Sequence, residues 1–323
     1  MVGTDLNLAI QYLKQGELVA IPTETVYGLA ANAFDADAVT KIYKVKNRPS
    51  FNPLIVHTDS IKKLEQWGLV LPEQMLELAR HFSPGPITYV IPKSDKIPDI
   101  VTAGTEAVAV RIPNHELVLD LLNKLDFPLA APSANPSGFV SPTNAWHVNE
   151  QLGDKIPYIL NGGTCEVGVE STIISFLEDP PALLRHGGIS KEKIEAVIGK
   201  VTDKPGEASG RIATDKPVAP GQLTKHYATA HQLIHGDPRK YFNYFERERI
   251  AIITFSAVYT EVPVRNQVVL SHNRNLDEAA QNLFAAMREI DKLDVDVILA
   301  EKFPDEGLGR AINDRLKRAG TQD

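Results

Sequence analysis

The sequence predicts an α/β protein: an open, twisted, mixed sheet with flanking helices, followed by a smaller Rossmann-like α/β accessory domain. Three observations predict it. Short apolar runs of strand length alternate with amphipathic segments of helix length through residues 1–202, which implies crossover helices and parallel strand pairs, while the closer spacing of the last runs implies hairpins. Periodicity then fails across 203–230, where KPGEASGRIATDKPVAPGQLTKHYA contains three prolines and three glycines. Beyond it a second strand and helix alternation begins, so the chain divides into 1–202, a linker at 203–230 and 231–323.

Each element has a local reason. MVGTDLNLAIQYLKQG reads as an amphipathic helix with Leu6, Ala9, Ile10 and Leu13 inward and Gly16 at its end. Leu18 to Ile21 is a strand that Pro22 closes, and Thr23 to Thr25 line the turn after it. A helix follows over about 37–47, capped by Asp35 or Asp37, with Val39, Ile42 and Tyr43 inward. Next come a strand at 54–57, a helix at 72–82 with Pro72 in its first turn, the turn SPGP and a strand at 87–91. A strand at 107–112, a helix at 116–124 capped by Asn114 and a strand at 128–131 continue the alternation. APSANPSGFVSPT, at 131–143, is too rich in Pro, Ser, Asn and Gly for regular structure and follows a buried strand, where sites are commonly built. Strands at 158–160, 171–176 and 182–184 and a helix at 190–198 capped by Ser190 complete the first unit. In the second, strands are predicted at 250–255, 268–270 and 295–300, with helices at 276–293 and 308–318.

Composition narrows the function. With 323 residues, 43% hydrophobic and 23% charged, the chain reads as a folded two-unit protein, and a net charge of -7 argues against broad nucleic-acid binding. Any anion site must be a local pocket. One cysteine, Cys165, excludes an intrachain disulfide framework and a thiolate zinc site, fits a reducing cytoplasm, and reads as a neutral loop or core residue. The nine histidines lack metal-ligand spacing, no P-loop is present, and no run suits a signal peptide or a membrane span. GLGR at 307–310 reads as a turn, and Glu166 with Glu170 as solvated turn residues.

The chemistry gathers around KIYKVKNRPSFNPLIVH, residues 41–57. Pro49 pushes Arg48 out of the helical region, so the helix ends there and Lys46 and Arg48 can lean over one mouth at the start of the next strand. A solvated helix face carrying Lys41, Lys44 and Arg48 is the alternative. Thr25, Lys46, Arg48, Asn52, His57, Arg111, Ser133, Asn135, Ser141, Ser171 and Arg185 together put cations and hydroxyls at strand ends, as a polyanionic ligand requires.

The chain resembles the YrdC family in its long two-domain form. The blocks PTETVYGLAANAF, KVKNRPSFNPLIVH, SPGPITYVI, VAVRIP, PLAAPSAN, SPT, GVESTII and LLRHGG, within 18–188, stand in family order, and APG, HYA and GLGRAINDRLKRAG resemble the long form's linker and accessory domain. His186 and Thr229 stand where the family commonly has proline. The resemblance implies an L-threonylcarbamoyladenylate synthase. Such an enzyme converts L-threonine, bicarbonate or CO2, and ATP to threonylcarbamoyl-AMP and pyrophosphate, with Mg2+ accompanying ATP rather than held by a dedicated site. It supplies the downstream tRNA threonylcarbamoyl transferase machinery. The resemblance implies a KxR pair at Lys46 and Arg48 and an SxN pair at Ser133 and Asn135 in catalysis. It also implies threonine contacts at Thr25, His57, Arg111, Ala131 and Ser171, and ATP contacts at Arg48, Asn52, Ser133, Ser141, Arg185 and His226. A linker folding over the mouth from 219 to 228 would exclude water. Two rivals are an RNA-binding module on an open cationic sheet and a carbamoyl transferase of the hydrogenase-maturation kind, whose acylphosphatase and zinc-finger regions this chain lacks.

Overall fold

A computed structural model describes residues 1–203, 219 and 226–321; most of the linker expectation therefore lies outside the described residues. The first unit threads β1 (Val2–Gly3), α1 (Leu6–Lys14), β2 (Val19–Ile21), β3 (Gly28–Asn32), α2 (Ala36–Lys46), β4 (Ile55–His57), α3 (Ile61–Gln66) and α4 (Glu73–Phe82). It goes on through β5 (Ile87–Pro92), α5 (Asp99–Thr102), β6 (Ala107–Arg111), α6 (Glu116–Asn123), β7 (Leu129–Ala130) and α7 (Ala145–Leu152). Then come β8 (Tyr158–Leu160), β9 (Thr172–Ser175), β10 (Ala182–Arg185), α8 (Lys191–Ile198) and β11 (Thr202–Asp203). Among the described residues these strands make one 11-stranded sheet, ordered β1, β8, β2, β3, β7, β4, β6, β5, β9, β10, β11. Pairing is mixed: β4 with β6 and β5 with β9 are parallel, whereas β5 with β6 and β9 with β10 are antiparallel.

The second unit holds β12 (Gln232–Gly236), β13 (Ile250–Thr254), β14 (Gln267–Val269), α9 (Leu276–Ile290), β15 (Val297–Glu301) and α10 (Gly309–Ala319). Its four strands, ordered β12, β15, β13, β14, all run parallel, as the Rossmann-like expectation requires.

The two faces of the large sheet are covered differently. One face packs Val56, Val110 and Ile91 against Val39 and Ile42 of α2 and Met75 and Leu78 of α4. On the other, α1 and α6 lay Leu13, Leu121 and Leu122 over Val19, Ile21 and Ala30, but only as far as β7. Past that line the face carries Ile55, Val90, Ala109 and Ile173, and Ala219 of the linker packs on them. The second unit docks beside this stretch, with Val26, Val140, Val169 and Tyr227 joining Leu283, Phe284 and Met287 in one cluster. Its approach is close. A Cβ on Gly168, where φ is +72°, would lie 2.4 Å from the Gln281 Cα, so only glycine fits both the turn and the helix above it.

Several local expectations change. GLAAN forms β3 although it lacks β-branched residues, because pairing with β2 and β7 rather than propensity holds it. AWHVNEQL forms α7 and QLIHG forms β12, two elements that the sequence expectations did not include. The cap expected from Asn114 is not made: α6 starts at Glu116 with His115 at the N-cap position, which leaves Asn114 one residue too early. Asp35 and Ser190 do cap α2 and α8 with their side chains.

Candidate active site

The parallel pairing of β4 and β6 places His57 opposite Arg111 and Ile55 opposite Ala109. Strand alternation turns all four to one face, the stretch that α1 and α6 leave uncovered. A cleft opens there. Of the residues singled out in the sequence, Arg48, His57, Arg111, Ala131, Ser133, Ser171, Arg185 and His226 line it. The expected setting at strand ends holds, since His57, Arg111 and Arg185 each end their strands and Ser171 stands just before β9; from there the cleft extends onto the sheet face, with β4 and β6 as its floor.

Arg111 is only 4% exposed, pairs with the equally buried Glu24 at 2.8 Å and donates to Thr25 Oγ1 at 2.9 Å. Thr25 in turn shares a 2.8 Å hydrogen bond with Thr23. Across the cleft, Arg185 Nε donates to the Ser171 carbonyl at 3.0 Å and its Nη2 to Ser171 Oγ at 3.1 Å. Burial pulls the Arg185 guanidinium down to about 10, still charged at neutral pH. Arg48 donates to the carbonyls of Asn52 at 3.0 Å and Pro53 at 2.8 Å, and burial likewise brings it to about 10.

Lys46 requires a correction. It does not lean over the mouth with Arg48, and it is not solvated: at 1% exposure it is among the most buried charged groups of the protein. Its Nζ donates to the Ser133 carbonyl at 2.6 Å and to the Asn135 carbonyl, behind the cleft wall. The reason is legible in spacing, since Val39, Ile42, Tyr43 and Lys46 fall at i, i+3, i+4 and i+7 on the inward face of α2. Asn47, at φ 50°, then turns the chain out of the helix and brings Arg48 round to the cleft. Burial, and next the Arg48 charge, drive the Lys46 ammonium well below its ordinary range.

Thr25, Asn52, Asn135 and Ser141 do not line the cleft; each supports a residue beside it. Thr25 bears on Arg111 and the Asn52 carbonyl on Arg48. Asn135 Nδ2 ties the loop to the carbonyls of Pro136 and Phe139. Ser141 Oγ donates to Glu170 Oε1 at 2.7 Å.

Glu170 is the principal lining residue that sequence reasoning missed. It lines the cleft and is 6% exposed, not a solvated turn residue. Burial pushes its carboxyl up, but Arg315 and then Arg185 outweigh that and hold it at about 2. Glu24, Thr23 and Pro132 were missed as well; a carboxylate inside an apolar, hydroxyl-rich turn was the available signal for Glu24. Arg111 Nε, Asn52 Oδ1, Asn135 Oδ1 and His226 Nδ1 are buried without a partner among the described residues. Each such atom costs about 1–3 kcal/mol, and the two on cleft-lining side chains, Arg111 Nε and His226 Nδ1, are groups a polar ligand in the cleft can satisfy.

The family model Sua5_yciO_yrdC, described as telomere recombination, matches residues 11–187, more than half of the chain. The chain belongs to the Sua5/YciO/YrdC family. A second family model, the C-terminal domain of threonylcarbamoyl-AMP synthase, matches residues 189–321. The threonylcarbamoyl-AMP synthase of Pyrococcus abyssi is 42% identical, with 97% of this chain and 93% of that protein covered. That of Bacillus subtilis is also 42% identical, over 96% of this chain and 91% of its own length. Among solved structures, P. abyssi Sua5 complexed with L-threonine superposes with a TM-score of 0.89 at 41% identity, covering 98% of this chain and 94% of that one.

In this member of the Sua5/YciO/YrdC family the cleft can bind and orient anions, and its charged groups are already committed. Desolvation, and next the Arg111 charge, hold His57 at about 3, so its ring is neutral, with Nδ1 3.2 Å from the Ile55 carbonyl. Burial raises the Cys165 thiol to about 12, which removes it as a nucleophile. Both carboxylates by the cleft, Glu24 and Glu170, face buried arginines. Among the described residues, no three His, Cys, Asp or Glu side chains are grouped to hold a metal ion.

Proposed function

We propose that the protein is an L-threonylcarbamoyladenylate synthase that joins L-threonine, bicarbonate or CO2, and ATP into threonylcarbamoyl-AMP, releasing pyrophosphate, for threonylcarbamoyladenosine in tRNA. The observation that carries the reading is the composition of one cleft, whose lining brings together Arg48, Arg111 and Arg185 with Ser133 and Ser171. Near full-length similarity to proteins of that name supports it.

The chemistry requires these residue types. The threonine amine attacks the carbon of CO2 and loses a proton, giving a carbamate; a carbamate oxygen then attacks the α-phosphorus as its bond to the β-phosphate oxygen breaks and pyrophosphate leaves. Two anions must be held together, so positioning and charge compensation do most of the work and no protein nucleophile is needed. Arg111 takes the threonine carboxylate through its unpaired Nε, with Thr25, His57, Ala131 and Ser171 around the amino acid. Arg48, Ser133, Arg185 and His226 serve ATP directly, with Asn52 holding Arg48 and Ser141 holding Glu170 beside them. Lys46 brings its charge behind the Ser133 carbonyl, and Asn135 fixes the loop that presents Ser133.

The carboxylates at the cleft do not fit a protein-held metal site, since arginines occupy them; magnesium would enter on the nucleotide's phosphates. No described helix is long and apolar enough to cross a membrane. A cytoplasmic location and hand-over of the product to a tRNA threonylcarbamoyl transferase complete the reading.

The test is pyrophosphate release by the purified chain with threonine and bicarbonate each present or omitted. Release that requires both is expected. Release with neither, or none despite ATP binding, would return the function to an RNA-binding or a different carbamoyl-transfer role.

A further inference from the structure

Arg315 lies on α10 of the second unit, yet it is 0% exposed and its guanidinium ends beside the cleft of the first. Its Nε donates to Glu170 Oε2 at 3.1 Å and its Nη1 to the His186 carbonyl at 2.6 Å. Its Cζ stands 5.6 Å from the ring centroid of Tyr227, a ring stacked in turn on Phe284 at 5.4 Å. One planar fork therefore joins three segments that are distant in sequence: the approach to β9, the exit from β10 and the end of the linker.

Those two strand ends form one wall of the cleft. Glu170 precedes Ser171, and His186 follows Arg185, which donates twice to Ser171. Gly187 crosses so close to Glu170 that a Cβ there would sit 2.3 Å from the Glu170 carbonyl oxygen. Glu170 is also the acceptor for Ser141. Because the acceptor at position 186 is a backbone carbonyl, His186 supplies it as the proline common in the family would.

We propose that Arg315 is a positioning residue of the first unit's cleft, supplied by the second unit: by gripping Glu170 and the His186 carbonyl together, it sets the placement of Ser141 and, through Ser171, of Arg185 for nucleotide binding. The inference rests on reading this cleft as the ATP site. It gives the second unit a direct part in the site besides packing. Other contacts between the units, such as Arg310 with Glu192 and Arg288 with the Val140 carbonyl and Gln151, make no such link to Glu170.

The experiment is calorimetric titration of ATP into the full-length protein and its variants, with thermal melting and the ATP KM measured in parallel. Arg315→Met is expected to weaken ATP binding at least tenfold and to raise the ATP KM with it. Arg315→Lys, whose ammonium keeps the charge but lacks the planar fork, should fall between Arg315→Met and the parent. Arg310→Ala cuts a contact between the units away from Glu170 and should stay within twofold. Glu170→Gln tests the same link without removing the arginine: its amide oxygen can still accept from Arg315 and its N–H can donate to the Ser141 hydroxyl, but the ionic attraction to Arg315 is lost, so a smaller loss in the same direction is expected even if Arg315→Met fails to fold. A folded Arg315→Met or a Glu170→Gln with parental ATP affinity, or an Arg310→Ala as impaired as Arg315→Met, would overturn the proposal. Binding needs no turnover, so a parent that binds ATP without forming the adenylate would sink the synthase reading and leave this test intact.

Discussion

Lys46→Met is expected to lower turnover about a hundredfold or more while leaving the fold nearly as stable as the parent. Neither Lys46 nor Arg48 has a carboxylate partner among the described residues, and the Lys46 ammonium is held only by the carbonyls of Ser133 and Asn135. A charge buried in that way opposes folding, so methionine, which keeps most of the stem, relieves desolvation as it gives up two hydrogen bonds. Function is where the charge counts. Phosphate brought against Ser133 supplies the missing counter-ion, and negative charge developing on departing pyrophosphate strengthens that attraction. The kcat for pyrophosphate release and a thermal melt separate the two roles. A threefold change or less would reduce Lys46 to a prop for the loop, and a variant that does not fold would make it structural.

Arg111→Ala should weaken threonine use about ten- to a hundredfold, the worth of one charge-assisted hydrogen bond of roughly 1.5–3 kcal/mol. It should also destabilise the protein, because Glu24, 4% exposed, would lose its ion-pair partner; breaking a buried pair costs about 3–5 kcal/mol. The double variant Glu24→Gln with Arg111→Ala dissects these effects. It should regain much of the stability and none of the threonine use. Threonine KM at saturating ATP is the readout, and an unchanged KM in Arg111→Ala would remove the arginine from the amino-acid site.

Much of this was legible locally. The helix ends close to where Pro49 announced it and Arg48 reaches the cleft, although the turn itself is made by Asn47 in the left-handed region, and AVAVRIP announced a cation on a buried strand. The face on which Lys46 lies was equally present in the 3.6-residue spacing, but the charge invited a solvated reading. β3 stayed hidden because Gly28, Ala30 and Ala31 carry no strand propensity of their own; the strand exists through its two neighbours. Glu170 was illegible for another reason. Its role depends on Arg315, 145 residues further on, and a carboxylate in GVEST looks like a turn until that partner is in place. The cleft floor needed the register of β4 with β6, which no stretch of either strand encodes alone.

The most direct measurement of the central claim is the mass of the nucleotide product formed from ATP, threonine and carbon-13-labelled bicarbonate. A threonylcarbamoyl-AMP carrying a single extra mass unit, located in the carbamoyl carbon, is expected, with one pyrophosphate released per adenylate. An unlabelled threonyl-AMP, or AMP alone with threonine and bicarbonate unchanged, would contradict it.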